Sequence, residues 1–311
     1  MAFDDYAEFS ATFPWFFPVS AFLFGLCVGS FLNVVIYRVP KDESVVLPGS
    51  HCGCGQPIAW YDNIPVLSWL LLRGHARCCG RVFSFRYPFV ELLTGVLFVA
   101  CWLTFPPLVA LCGWVFLSAL IAATFIDLDH MIIPDVFTIG LGTLGVMLSF
   151  AVPALHGQAG DYFFVDSFRA GLASIQGLLI GSAVVLWVAL IAETLLRKEA
   201  MGFGDVKFVG AIGAFCGWQG AVFALFGGAV VGTAWFMIAK LVEWMMRKPR
   251  VTAPEGLEPE SVERAGFNHE GALSFGAHVP FGPMLALAGA LYFLWFREPM
   301  AAWLTEVSLI F

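Results

Sequence analysis

Residues Ile121–Asp135 read IAATFIDLDHMIIPD, so an apolar run ends among acidic residues. The acids are Asp127, Asp129 and Asp135. A second stretch, Arg197–Phe208 (RKEAMGFGDVKF), places one more aspartate behind two glycines, where another apolar run begins. Either these acids mark the edges of membrane-spanning helices, or two of them meet and perform chemistry.

Composition places the chain among membrane proteins. It has 311 residues, of which 59% are hydrophobic and 13% charged, and its mean hydropathy is +0.83. Soluble domains carry about 25% charged residues, so we expect an all-α polytopic membrane protein that is surrounded by the lipid bilayer. The net charge of −7 says little about partners, because charge is sorted by side of the membrane, and no nucleic-acid partner is predicted.

The apolar runs predict about eight transmembrane helices, since a helix needs about 17–25 apolar residues to cross a bilayer. Seven runs have this length, and one shorter run is rich in glycine. The seven longer runs cover residues 17–37, 88–105, 108–126, 136–152, 169–192, 219–242 and 280–297, and the shorter run covers 206–218.

Basic residues predict the orientation of these helices. If residues 1–16 are periplasmic, then all of the 16 lysines and arginines except Arg169 and Arg297 fall in loops that face the cytoplasm, as the positive-inside rule requires. Omitting the short sixth span would break this pattern. Residues 1–20 lack the features of a cleavable signal peptide, so the first run is expected to be a retained span.

Two cytoplasmic loops differ in kind. Residues 38–87, between the first and second spans, hold four cysteines and many aromatic residues and are expected to form a small folded module. Residues 247–278 are polar and rich in Glu, Pro and Gly, which is typical of a flexible loop. Residues 153–168 form a short periplasmic connection, and no internal repeat is visible.

The predicted topology places Asp127 and Asp205 at the same cytoplasmic edge of the membrane. Two carboxyl groups held close together share one proton near neutral pH, which suits the hydrolysis of a peptide bond. Gly202 and Gly204 would let a substrate or a neighbouring backbone approach Asp205 closely. The alternative is that both acids simply end their spans.

Several motifs together resemble those of the type IV prepilin peptidases, which are GxGD aspartic peptidases. These are GFGD followed by lysine, FIDLDHMIIPD upstream of it, and three further segments along the chain. The segments are GLCVGSFLNVVIYRVP (Gly25–Pro40), PIAWYDNIPVLSWLLLRG (Pro57–Gly74) and HVPFGPMLALAG (His278–Gly289). The resemblance covers nearly the whole chain in order and implies that residues 88–311 form a membrane-embedded aspartic peptidase domain.

The resemblance implies that Asp127 and Asp205 are the catalytic pair. Asp129 is the rival for the first role. Asp135 is interpreted as a helix N-cap, and Lys207 either reaches to the membrane interface or tunes Asp205 electrostatically.

The eight cysteines divide into two groups. Four lie in apolar spans, where we expect inert packing: Cys27, Cys101, Cys112 and Cys216. The other four lie in the cytoplasmic loop and could hold Zn²⁺ through their thiolates: Cys52, Cys54, Cys78 and Cys79. Their spacing departs from the paired CxxC motifs of the family, so a histidine, His51 or His75, could replace one thiolate, and a metal-free loop is the other alternative.

The resemblance also implies two reactions in the bacterial inner membrane. The first removes the leader of type IV prepilins or type II secretion pseudopilins after a glycine. The second methylates the new N-terminal amine with S-adenosylmethionine, and the 38–87 module is linked to this step. No Gly-rich nucleotide fingerprint appears, so the sequence does not place the methyl donor.

Two alternatives differ in what they require of the sequence. A leader peptidase without methyltransferase activity would keep the aspartates, and the altered cysteine spacing favours it. A secondary transporter would use acids near the middle of the membrane together with inverted repeats, and neither feature is visible.

Overall fold

The computed structural model describes residues 8–197, 201–246 and 280–308. Within these ranges the chain is almost entirely helical, and its β-structure consists of the isolated bridges His51–Pro57 and His75–Val82. The predicted flexible loop at 247–278 lies outside the described residues.

The structure contains nine α-helices in the described residues, apart from the helical residues 8–12 at the N-terminal end. In chain order they are α1 (Phe16–Arg38), α2 (Leu67–Leu71), α3 (Arg86–Thr104), α4 (Pro107–His130), α5 (Ile139–Ala151), α6 (Phe163–Leu196), α7 (Phe203–Met246), α8 (Gly282–Leu291) and α9 (Arg297–Ser308). A π-helical turn, Tyr292–Phe296, connects α8 to α9, and four 3₁₀ turns lie at Val39–Lys41, Trp60–Asn63, Asp135–Phe137 and Pro153–His156.

Five helices among the described residues are long and apolar enough to cross a membrane. They are Phe16–Lys41, Arg86–Thr104, Pro107–His130, Phe163–Leu196 and Phe203–Val242. This supports a polytopic membrane protein, and the shorter helices α5 and α8 pack against these spans.

Helix α7 is two helices that reverse direction at Gly217. Gly217 has φ 71° and ψ 178°, which glycine adopts without steric cost. A Cβ added at Gly213 would lie 3.2 Å from the Cβ of Ala221, whereas eight residues of straight helix span about 12 Å. The two halves therefore run antiparallel, and the reversal lies at the boundary predicted between the runs at 206–218 and 219–242.

Glycines four residues apart set the closest helix contacts. A Cβ on Gly25 or Gly29 of α1 would lie within 2.7 Å of the α3 backbone. On α6, a Cβ on Gly177 would lie 2.1 Å from the Gly213 carbonyl oxygen, and one on Gly181 would lie 3.0 Å from the Val209 carbonyl oxygen. Small residues at this spacing allow membrane helices to approach backbone to backbone.

An aromatic core joins α4, the first half of α7 and the π-helical turn. The ring of Phe116 stacks on Phe215 at 4.7 Å and lies 5.3 Å from Phe293. All three side chains are fully buried. Large apolar residues on the outer faces of the helices, such as Leu103 and Val230, are exposed, as a lipid environment permits.

Helices α4 and α6 extend beyond the predicted spans. Helix α4 continues to His130, so Asp127 and Asp129 belong to its last turn and not to a loop. Helix α6 begins at Phe163, six residues before the predicted span. In α4 the backbone hydrogen bonds continue past the apolar run, because polar residues can extend a helix beyond the membrane edge. The six residues added to α6 read FFVDSF and are mostly apolar.

Candidate active site

Asp127 is buried at the end of α4 and is held by the start of α8. Asp127 is 6% exposed, and the backbone N–H of Gly282 donates a hydrogen bond to the Asp127 Oδ2 at 3.1 Å. A Cβ on residue 282 would lie 2.4 Å from that oxygen. Only glycine allows this approach, so the FGP sequence at 281–283 seats one face of the carboxylate.

Asp205 lies in the first turn of α7, near Ile133 and the start of α8. Its N–H donates to the Gly202 carbonyl at 3.1 Å, and its residue is half-buried. A Cβ on Gly204 would lie 3.8 Å from the Ile133 Cβ, and one on Gly282 would lie 3.0 Å from the Ile133 Cδ1.

Ile133 therefore stands between the glycine that holds Asp127 and the glycine that precedes Asp205. The C-terminal end of α4 and the N-terminal end of α7 thus bring the predicted pair to one end of the helix bundle.

Asp129, the rival to Asp127, is engaged by a basic residue. Its carboxylate forms an ion pair with Arg86 at 2.6 Å, and Arg86 also donates to the Phe125 carbonyl at 3.0 Å. The guanidinium lies over the Phe125 ring, 4.6 Å from its centroid. By contrast, Asp127 has no basic partner among the described residues. This difference favours Asp127 as the reacting acid.

Asp135 and Lys207 form an ion pair with each other. The N-cap interpretation of Asp135 is wrong: it begins the 3₁₀ turn Asp135–Phe137, and Pro134 stands at the N-cap. Its Oδ1 accepts hydrogen bonds from Lys207 and, at 3.4 Å, from the Thr138 hydroxyl. Lys207 therefore pairs with Asp135, a partner that neither interpretation of this lysine named.

The four loop cysteines converge. Their sulfur atoms all lie within 4.8 Å of one another, with Cys52 and Cys79 at 3.6 Å and Cys54 and Cys78 at 3.4 Å. Tetrahedral zinc with bonds of about 2.3 Å would hold its sulfurs about 3.8 Å apart. The donor set therefore fits a zinc ion.

Neither histidine belongs to this sulfur cluster. His51 Nδ1 lies 3.1 Å from the Gly49 carbonyl, and His75 Nδ1 lies 2.8 Å from the Arg73 carbonyl. The expectation that a histidine replaces one thiolate is therefore not supported by the geometry.

Two similar turns explain the irregular cysteine spacing. In the first turn, the backbone N–H of Cys52 donates to the Gln56 carbonyl, and the Cys52 carbonyl accepts from the Gly55 N–H. In the second turn, the N–H of Ala76 donates to the Arg81 carbonyl, and the Ala76 carbonyl accepts from the Gly80 N–H. All four bonds are 2.8 Å long. Ala76 therefore occupies the place that Cys52 has in the first turn, and the adjacent cysteines of the second turn supply both of its sulfurs.

The thiols of the cluster differ in acidity. The backbone N–H of Cys54 and the neighbouring thiols lower the pKa of Cys52 to about 7, whereas hydrogen bonds to Cys54 and Cys52 raise the pKa of Cys78 to about 12. Thiolate is the form that binds a metal, so the lowered pKa of Cys52 favours metal binding by this cluster.

Two structural partners were missed by sequence reasoning. The Gly282 amide lies in a segment that was noted only for its resemblance, and the PFGP sequence gives no signal that it contacts an acid in α4. The Arg86–Asp129 ion pair joins two helices, and the sequence separation of its residues does not indicate that they meet. Both contacts depend on how the helices pack.

Comparisons with known proteins identify the family to which the chain belongs. Residues 23–105 match the model of the bacterial peptidase A24 N-terminal domain, and residues 114–237 match that of the type IV leader peptidase family. The chain is 35% identical to a prepilin leader peptidase/N-methyltransferase of Myxococcus xanthus, over 94% of this chain and 92% of that protein. It is 36% identical to a protein of the same description from Aeromonas hydrophila, over 93% and 94% respectively.

A third relative carries a related description. It is the type 4 prepilin-like proteins leader peptide-processing enzyme of Escherichia coli, which is 39% identical over 70% of this chain and 82% of that protein. No solved structure matches the chain. From the two family models, which together span most of the chain, and from relatives of nearly the same length, we conclude that the chain belongs to the type IV leader peptidase family.

Proposed function

We propose that this chain is a bifunctional membrane enzyme that cleaves the leader of prepilins or pseudopilins and then methylates the new N-terminus. The observation that supports cleavage is the placement of Asp127 and Asp205 on either side of Ile133, with Asp127 free of any basic partner among the described residues. The names of the relatives support both activities.

In the proposed cleavage step, the ionised carboxylate of the pair takes a proton from water while its partner donates a proton to the scissile carbonyl. The water oxygen attacks the carbonyl carbon of the leader's terminal glycine. The tetrahedral intermediate then collapses, and the released amine becomes the new N-terminus. This division of labour needs two carboxyl groups that share one proton, which we expect within about 5–7 Å of each other, directly or through one water.

We assign the enzyme to the bacterial inner membrane, with a periplasmic N-terminus and about eight spans. Five long apolar helices, the reversal at Gly217 and the short apolar helices α5 and α8 are compatible with that number. With this orientation the catalytic pair lies at the cytoplasmic edge, where a basic leader is retained and where water can reach the scissile bond.

Residues 38–87 are assigned to a cytoplasmic module that holds one zinc ion. Cys52, Cys54, Cys78 and Cys79 would bind it, and the convergence of their sulfurs supports this. When bound, zinc supplies structural cross-linking of the two turns, because four protein ligands leave no open position for catalysis.

The alternative of a peptidase without methyltransferase activity rested on the irregular cysteine spacing. The two similar turns remove much of its support, since all four sulfurs meet despite the spacing. The proposal is tested by intact-mass spectrometry of a co-expressed prepilin, which reports cleavage and methylation together. Uncut prepilin would contradict the peptidase assignment, and cut but unmethylated product would favour the alternative.

A further inference from the structure

A cavity of about 470 Å³ lies between the end of α1, the cysteine module and the start of α3. Binding sites for small molecules are commonly 300–1,000 Å³, so it is large enough for a nucleoside-sized ligand. Its wall combines polar and aromatic groups, including Asn33, Asn63, Trp69, Tyr87 and Glu91.

Glu91 gives this cavity a buried carboxyl group. The residue is 8% exposed, and its Oε2 accepts a hydrogen bond of 2.7 Å from the Val66 N–H. No lysine, arginine or histidine pairs with Glu91 within the described ranges. A carboxylate removed from water is stabilised by a cation, so the cavity favours a ligand with positive charge.

The contact of Glu91 with Val66 also holds a strained backbone. Val66 has φ 60° and ψ −49°, a conformation that β-branched residues rarely adopt. Such strain persists only where the surrounding structure imposes it, and it is concentrated at ligand sites. Here the strain directs the Val66 N–H at the carboxylate that lines the cavity.

The cavity also contains groups for the other parts of a zwitterionic nucleoside. Arg81 lines it and could pair with a carboxylate, and the rings of Trp69 and Tyr87 offer surfaces on which a purine can stack. Arg38, the other arginine of the wall, already donates to the carbonyls of Ser44 and Pro48 at 2.8 Å.

We propose that this cavity binds the methyl donor, an adenosine that carries a sulfonium cation and an amino-acid carboxylate, with Glu91 as the anion that faces the positive charge. This inference rests on the proposed methyltransferase function and adds its location. S-Adenosylmethionine has a sulfonium cation, a carboxylate and a purine, and Glu91, Arg81 and the aromatic rings of the wall fit these three groups.

The start of α3 links the cavity to the helix that carries Asp127. Tyr87 and Glu91 line it from the first two turns of α3, and Arg86 in the same turn is paired with Asp129 on the helix that carries Asp127. The start of α3 therefore contacts both the cavity and helix α4, which carries Asp127.

The transfer step balances without another reactant. The α-ammonium of the cut pilin first gives a proton to water. The neutral nitrogen then attacks the methyl carbon of the donor, and the carbon–sulfur bond breaks with its electron pair passing to sulfur. The products are a methylated ammonium and a neutral thioether.

Equilibrium binding of radiolabelled S-adenosylmethionine to the full chain in lipid nanodiscs tests the location. We expect Glu91→Gln, which keeps an acceptor for Val66, to weaken binding by at least about tenfold. The matched control is Glu43→Gln, an exposed residue of the same module that does not line the cavity. Leader cleavage, measured in parallel, reports whether each variant is folded.

A second variant fills the cavity. Val34→Phe places a larger side chain in its wall, and Val19→Phe makes the same change on an exposed position of α1 away from it. We expect Val34→Phe to weaken donor binding while cleavage stays within about threefold of wild type. If Glu91→Gln also loses cleavage, the result for Val34→Phe decides.

The outcomes separate this inference from the proposed function. If wild type methylates a prepilin but both variants bind the donor as wild type does, the location is wrong and the methyltransferase assignment stands. If wild type neither binds the donor nor methylates, the methyltransferase assignment fails, and the location fails with it.

Discussion

Gly282 and Asp127 are 155 positions apart in the chain, yet the Gly282 N–H donates to the Asp127 Oδ2 at 3.1 Å in a buried setting. This bond joins the start of α8 to the end of α4. It orients one carboxylate oxygen and leaves the other for chemistry. The proposed peptidase therefore depends on a helix that contributes no acid of its own.

Replacing Gly282 by alanine tests that dependence. Its Cβ would lie 2.4 Å from the Asp127 Oδ2 and 3.0 Å from Ile133, so the carboxylate must move. We expect Gly282→Ala to lower leader cleavage by at least about 100-fold, since a displaced acid–base group loses this much. Gly232→Ala is the control, because among the described residues its added Cβ meets only Met284, at 3.7 Å. Equal activity of both variants would contradict the role given to Gly282.

Replacing Lys207, by contrast, should leave leader cleavage almost unchanged. Because it pairs with Asp135, whose side chain is 64% exposed, its loss should remove only a weak surface ion pair. We expect Lys207→Met to keep the cleavage rate within about fivefold of wild type. A loss as large as that of an aspartate variant, in a steady-state cleavage assay, would instead mean that Lys207 acts directly on Asp205.

The helices and the placement of Asp127 and Asp205 at one end of the bundle could be predicted from residue patterns, because apolar runs of membrane length and basic loops report local energetics. The reversal at Gly217 was predictable as a boundary, since charge required the chain to cross there. Contacts such as Gly282 with Asp127 and Arg86 with Asp129 could not be predicted, because they depend on which helix faces pack together. The predicted end of α4 was wrong because hydropathy marks where apolar residues stop, while the helix continues through polar residues to His130.

Metal analysis tests the cysteine cluster. Purified full-length protein should contain one zinc ion per chain by elemental mass spectrometry, because four converging thiolates form a closed site. Replacing Cys52, Cys54, Cys78 and Cys79 together by serine should remove it. Replacing Cys27, which lies on α1 outside the cluster, should not. Protein without zinc whose four loop thiols are freely alkylated would overturn the metal assignment and leave the peptidase assignment intact.

The same quadruple serine variant separates the two activities. Hydrolysis needs the carboxylate pair and water at the helix ends, whereas methyl transfer needs a bound donor, which we place beside the cysteine module. We expect methylation of a co-expressed prepilin to fall far more than cleavage, so the product is cut but lighter by one methylene. A parallel fall of both activities would mean that the module supports the whole fold.

The identity of the catalytic pair is tested most directly by leader cleavage in single asparagine variants that insert normally. We expect Asp127→Asn and Asp205→Asn each to lower cleavage by at least about 100-fold, because each removes a group that transfers a proton. We expect Asp129→Asn to stay close to wild type, because its carboxylate is paired with Arg86 at 2.6 Å. Normal cleavage by Asp127→Asn together with its loss in Asp129→Asn would contradict the assignment.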